Sequence, residues 1–170
     1  MKSFAHPACL PDDLLLRECK LSRVRRSGPG GQRRNKVETG VVVLHKPSSV
    51  RAESNESRSP ETNKKNAIFR LRIQLALSVR AEFDECQPPS DLWKSRCRGE
   101  KISVNPSHCD FPALLAEAFN AVMYFRGDVK SASTWLNCTS SQLVKFLKLE
   151  SHAWSSLNVL RKEEGLSCLK

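Results

Sequence analysis

The chain has 170 residues, 39% hydrophobic and 27% charged, and its 28 Lys and Arg outnumber 18 Asp and Glu for a formal net charge of +10. That length allows one domain plus a further small unit, with enough chain to bury a core. No stretch approaches the roughly 20 apolar residues of a membrane helix, so no membrane association is expected.

Residues 1–11 show no periodic pattern and are expected to be loosely ordered. Asp12 or Asp13 can cap a short turn carrying Leu14, Leu15 and Leu16, and Leu21 to Arg26 reads as a strand. A glycine-rich loop follows, Ser27-Gly28-Pro29-Gly30-Gly31-Gln32. Val37 to Lys46 is the clearest strand, with Val41, Val43 and His45 on one face and Val42 and Leu44 on the other, which predicts a central position. Pro47-Ser48-Ser49 makes a turn and Val50 to Glu53 a short return strand. Ser59-Pro60-Glu61 supplies a hydroxyl cap, a proline at the first helical position and an early acid. The helix it starts is predicted to run to Phe83, with Ala67, Ile68, Leu71, Leu75 and Val79 as its apolar stripe. Residues 86–109 read as a linker with one ordered turn at Leu92-Trp93. Asp110 is expected to cap a second long helix that Gly127 ends. Shorter helices are predicted near 129–136, 140–149 and 152–164, with a capping box at Thr139 to Gln142. The first two resemble a helix-turn-helix, but only Lys145 and Lys148 mark the second, so a packed helical core is the expectation.

The charge is uneven. Residues 1–99 hold 20 basic and 11 acidic groups, and residues 100–170 hold 8 and 7. Between Lys20 and Lys36 there is no acid, while Arg23, Arg25, Arg26, Arg33 and Arg34 crowd the glycine loop. A polyanion is the natural partner of that face. Glycine lets a partner approach the main chain closely, and Pro29 shapes the loop. Nucleotide-binding readings fail: no Gly-Lys-Ser/Thr follows, and no Gly-x-Gly-x-x-Gly opens a helix.

From Arg26 the sequence runs Ser-Gly-Pro-Gly-Gly-Gln-Arg-Arg to Asn35-Lys36-Val37-Glu38-Thr39, then Val41 to His45, Pro47, Glu56-Ser57-Arg58-Ser59 and Asn63. This resembles the catalytic domain of class I peptide chain release factors, and above all their codon-independent relatives that rescue stalled ribosomes. The likeness covers about residues 12–80. Pro47-Ser48-Ser49 stands where Pro-Thr-Gly is usual, and Arg58-Ser59-Pro60 where Arg-Ser-Gln is usual. Neither departure touches the Gly-Gly-Gln.

The resemblance implies an α+β catalytic domain over 12–85, with a small mixed or antiparallel sheet packed on the long helix; the linker and a small helical, helix-turn-helix-like C-terminal unit over 110–170 are read from the patterning alone. The resemblance also implies hydrolysis of the peptidyl-tRNA ester in the large-subunit peptidyl transferase centre. Gly30, Gly31 and Gln32 are the catalytic residues in that reading. The loop has no histidine, carboxylate or cysteine to act as base or nucleophile. Its tool is the Gln32 backbone N–H, and one such oxyanion donor is worth about 2.7–4 kcal/mol. Arg23, Arg25, Arg26, Ser27, Arg33, Arg34, Asn35 and Lys36 would face RNA, with Arg58, Lys64 and Lys65 further out. Methylation of the Gln32 side chain is a family habit, which makes a glutamine methyltransferase an implied partner beside rRNA and peptidyl-tRNA.

No cofactor or metal is expected, and the chain is expected to act as a monomer. Cys97, His108 and Cys109 have poor zinc spacing and lack a fourth ligand. Seven cysteines without a Cys-x-x-Cys pair suggest reduced thiols. His45, alone among valines, is expected to be structural. The chain is short for a codon-reading release factor, so codon-specific termination is not expected. Codon-independent rescue factors usually end in an Arg/Lys-rich tail, and this chain, ending Arg161-Lys-Glu-Glu-Gly-Leu-Ser-Cys-Leu-Lys170, departs from them there. A bacterial-type cytoplasm, or an organelle matrix after transit-peptide removal, is the expected compartment. A noncatalytic ribosome- or RNA-binding module is the alternative. The C-terminal unit is expected to be removable without disordering the sheet.

Overall fold

The computed structural model describes residues 6–25 and 38–169. A three-stranded antiparallel sheet is ordered β1 (Cys19–Val24), β2 (Gly40–His45), β3 (Arg51–Ser54), with the valine-rich strand at its centre. Short helix α1 (Asp12–Arg17) precedes β1; its N-cap is Pro11, and Asp12 and Asp13 lie in the first turn, where the helix dipole favours acids. The sheet packs on α2 (Pro60–Ser78), whose N-cap Ser59 accepts the Thr62 N–H. The protein is thus α+β, with a small antiparallel sheet on a long helix and further helices after it.

Helix α2 stops five residues before the predicted Phe83 because tertiary contacts outbid helix propensity. The His6 ring bonds the Val79 carbonyl at 3.1 Å. The buried Asn120 amide pairs with both backbone groups of Ala81, at 3.2 and 3.1 Å. Phe83 then stacks on Tyr124 at 4.3 Å between ring centres and meets Trp135 at 4.6 Å. The same contacts order part of the N-terminal segment. His6 and Ala8 are buried and Pro7–Cys9 forms a 3₁₀ turn, so residues 6–10 are not loose.

The predicted linker contains structure of its own. Helix α3 (Asp91–Arg96) is capped by Ser90 and places Trp93 in the core, where its indole N–H reaches the Leu136 carbonyl at 2.7 Å. A two-residue hairpin, β4 (Cys97–Arg98) with β5 (Lys101–Ile102), turns through Gly99 and Glu100, both at positive φ as a type I′ turn requires. Helix α4 (Phe111–Tyr124) is buried from Phe111 through Val122, wrapped by α2, α3 and the later helices. Asp110 is its N-cap residue, as expected, but makes no side-chain cap bond: its carboxylate is taken by Arg96 at 2.5 and 3.0 Å. Gly127, at φ 76°, closes the turn after α4. Helices α5 (Val129–Trp135), α6 (Ser140–Leu147) and α7 (Ser151–Glu163) complete the chain. Buried side chains on both sides of residues 86–109 belong to one cluster, from Val43 and Leu71 to Leu143 and Leu157.

Candidate functional site

Strands β1 and β2 run in register from Cys19 opposite His45 to Val24 opposite Gly40. Just beyond, Arg25 and Glu38 form an exposed ion pair at 3.3 Å. Gly40 is required there: a Cβ would meet the Val24 carbonyl and side chain at 2.9 Å each. The connection between these ends carries Arg26, Ser27, Gly30, Gly31, Gln32, Arg33, Arg34, Asn35 and Lys36, which lie outside the described residues.

The root of that connection is held from below by Asn63, which is fully buried on α2. Its Nδ2 donates to the carbonyls of Thr39 at 2.7 Å and Ser57 at 2.8 Å. Its Oδ1 accepts the Ser57 N–H at 2.9 Å and lies 3.3 Å from the Ser54 hydroxyl. One side chain therefore ties the end of the β1–β2 connection to the turn before α2. That turn is braced by Glu56, which takes the Ser54 hydroxyl at 2.5 Å and the Arg70 guanidinium at 2.7 Å. Those two bonds hold the Glu56 carboxyl down at about 2. Pro60 sits at the first helical position, where its missing N–H costs nothing, so this departure from the family pattern leaves the helix start intact.

Among the expected RNA-facing residues, Arg23, Arg25, Arg58 and Lys65 are exposed and Lys64 is half-buried. Arg23 and Lys64 line one depression of about 230 Å³ between β1 and the start of α2. Arg58 is in the Asn63-braced turn, and Arg25 is engaged by Glu38. Arg70 and Arg72 are structural: Arg72 reaches the Ala8 carbonyl at 2.7 Å and Asp12 at 2.6 Å. The bracing roles of Gly40 and Glu56 escape sequence reasoning. Asn63 could have been found, since it stands four residues before Ala67 on the buried stripe, where a polar side chain must be hydrogen-bonded.

Other chemistry is weak in the described residues. Both His45 nitrogens are engaged, Nδ1 with Ser48 at 2.7 Å and Nε2 with Glu18 at 2.9 Å, in a ring only 1% exposed. That is a structural histidine. All seven cysteines are free. Burial pushes the Cys9 and Cys138 thiols up to about 12, so neither is a thiolate at neutral pH. The possible ligand atoms of His108, Cys109 and Asp110 lie within 4.8 Å of one another, and Cys97 is not a member of that group. The Arg96 guanidinium on Asp110 opposes a cation there. No helix among the described residues is long and apolar enough to cross a membrane.

The chain is similar to a mitochondrial translation release factor in rescue from Danio rerio, 42% identical over 84 residues, 48% of this chain and 54% of that protein. It is also similar to peptide chain release factor 1 of Xylella fastidiosa (strain 9a5c), 38% identical over 65 residues, 38% of this chain and 18% of that protein. The matches thus span about half of the first relative and under a fifth of the second. No solved structure matches the chain. The RF-1 domain matches residues 13–104, from α1 through the β4–β5 hairpin, which is more than half of the chain, and the chain belongs to that release-factor domain family.

Proposed function

We propose that the chain hydrolyses the ester joining a nascent peptide to the terminal adenosine of tRNA on the ribosome, without reading a stop codon. One observation carries the reading. The RF-1 match contains Ser27-Gly28-Pro29-Gly30-Gly31-Gln32 intact, on the connection between two strands whose ends are pinned by Gly40, Asn63 and the Arg25–Glu38 pair.

In this mechanism Gly30 and Gly31 bring bare main chain to the ester, and the Gln32 N–H donates to the developing oxyanion. The attacking water and the moving proton are served by RNA, water and substrate, since the segment holds no acid or base. Arg23, Arg25, Arg26, Arg33, Arg34 and Lys36 engage rRNA phosphates, with Ser27 and Asn35 beside them and Arg58, Lys64 and Lys65 on the flank. Gln32 is the residue a glutamine methyltransferase would modify. Independence from a codon rests on the likeness to the rescue protein of Danio rerio, whose name also favours an organelle matrix as the compartment.

Release of labelled peptide from reconstituted ribosomes, stalled either without a codon or on a stop codon, tests the reading. Gly31→Ala adds bulk where the main chain must approach the ester and so carries the Gln32 N–H off the oxyanion; it is expected to lower release at least about 100-fold, the scale of an oxyanion donor out of place, while ribosome binding persists. Gln32→Ala keeps the backbone N–H and should be milder. Wild-type release by Gly31→Ala would assign a noncatalytic ribosome-binding module, and release only on stop codons would assign termination.

A further inference from the structure

We propose that the surface shared by α5, α6 and α7 is a second RNA site, which takes the phosphates of a folded RNA segment. The proposal rests on the ribosomal reading above, which brings the protein to RNA. An opening of about 590 Å³ separates these helices. Helix α6 buries Leu143, Phe146 and Leu147, and its residues 140, 141, 144 and 145, with 148 just past its end, line the opening as one helical face. Lys145 and Lys148 lie on that face, and Lys130 and Arg161 line the opening from the neighbouring helices.

The charge there is concentrated. Residues 100–170 hold 8 basic and 7 acidic groups, and the lining takes four of the basic ones and only Asp128 of the acids. Asp128 is occupied as a cap, accepting the Ser131 hydroxyl at 2.6 Å and the Lys130 N–H at 3.0 Å. Among the described residues Lys130 and Lys145 make no ion pair. Arg161 is fixed by two carbonyls, Gly127 at 2.5 Å and Ser167 at 2.8 Å, which aim the guanidinium, while the nearby Asp128 carboxylate attracts it and leaves the three lysines as the surplus charge. Cations on three separate elements, with the Ser140 and Ser141 hydroxyls between them, match spaced phosphates better than a short acidic peptide. Sequence inspection missed the patch because its cations are scattered between residues 130 and 161.

The test is binding of the full chain to a fluorescein-labelled RNA hairpin between about 50 and 200 mM salt. Loss of two duplex phosphate contacts in Lys130→Ala/Lys145→Ala should cut the salt slope by about 1.8, so that the affinity lost over that range shrinks about tenfold. Arg33→Ala/Arg34→Ala provides the comparison. A slope lowered only in the Arg33/Arg34 variant overturns the second site and leaves the first reading standing. Slopes lowered only in the Lys130/Lys145 variant support the second site and count against the loop face. In the unmutated chain, acetylation of Lys130 and Lys145 by an amine reagent should slow on adding the hairpin. Unchanged acetylation, or equal displacement of the hairpin by polyglutamate, overturns the proposal.

Discussion

Ser49 adopts the left-handed conformation, at φ 58°, in the turn between β2 and β3. The resemblance usually puts glycine at that position. A non-glycine residue pays about 1–2 kcal/mol there, and substitution by glycine returns about 0.4–1 kcal/mol through the more flexible unfolded chain. Ser49→Gly is therefore expected to stabilise the protein by about 0.5–1 kcal/mol in urea denaturation; a loss of stability would show that the Ser49 side chain compensates in some other way. Asn63 makes the opposite case. Truncation to alanine leaves the Thr39 carbonyl and both Ser57 backbone groups without their partner. Each buried polar group left unpaired costs about 1–3 kcal/mol, so Asn63→Ala should lose on the order of 3 kcal/mol. It should also impair peptide release by more than its stability loss explains, because the Thr39 end of the β1–β2 connection is freed. Release unchanged in protein that remains folded would make Asn63 a packing residue only.

At the scale of elements, the predictable features were those with local causes. Ser59-Pro60 starts α2, Thr139 caps α6 through the Gln142 N–H, and alternating valines give β2 its central place. Boundaries set by distant partners were illegible: nothing near Val79 announces that Asn120 and His6 will pull the chain out of its helix. The same holds for α3, whose anchor is the distant Leu136 carbonyl. Its N-cap Ser90 is gripped in turn by buried Glu117 on α4, whose carboxylate takes the Ser90 N–H at 2.6 Å and hydroxyl at 2.5 Å. Burial raises the Glu117 pKa above its ordinary 4.5, against the pull of those two bonds. A raised folded pKa means that the native state binds the proton more tightly than the unfolded chain. Stability from this group is complete below about pH 4.5 and falls as pH rises through the elevated pKa. Glu117→Gln, whose amide can still accept from the Ser90 N–H and donate to its hydroxyl, should flatten that decline. Parallel pH profiles of wild type and variant, from denaturation midpoints, would locate the dependence elsewhere.

Across the whole molecule, the glycine loop and its basic surroundings could be read from residues next to one another. The basic opening of α5–α7 and the bracing of Thr39 could not, since both are assembled from segments far apart in the chain. This difference follows from the physics of the two signals. A loop that offers main chain to a partner needs particular residues in sequence, whereas a patch or a buried network needs only that the fold bring them together.

The largest consequence of that assembly concerns the C-terminal helices. Sequence patterning suggests a removable unit, but α2 packs on the sheet and also on α4, and the 3₁₀ turn at Pro7–Cys9 rests on both helices. Deleting residues 105–170 would expose Trp93, which is 1% accessible and depends on Leu136 and Phe146, and would open the α4-facing side of α2. Each large apolar side chain exposed costs about 1.5–3 kcal/mol, and a domain of this kind holds only about 5–15 kcal/mol in total. Four or five such losses consume that margin. A chain of residues 1–104 is therefore expected to show no cooperative urea transition by circular dichroism, although it contains the whole RF-1 match. The helices would then be part of the scaffold on which α2, Asn63 and the Thr39 carbonyl are held. A cooperative transition near the full-length midpoint would show instead that the first 104 residues fold alone and that α4 packs onto a finished domain.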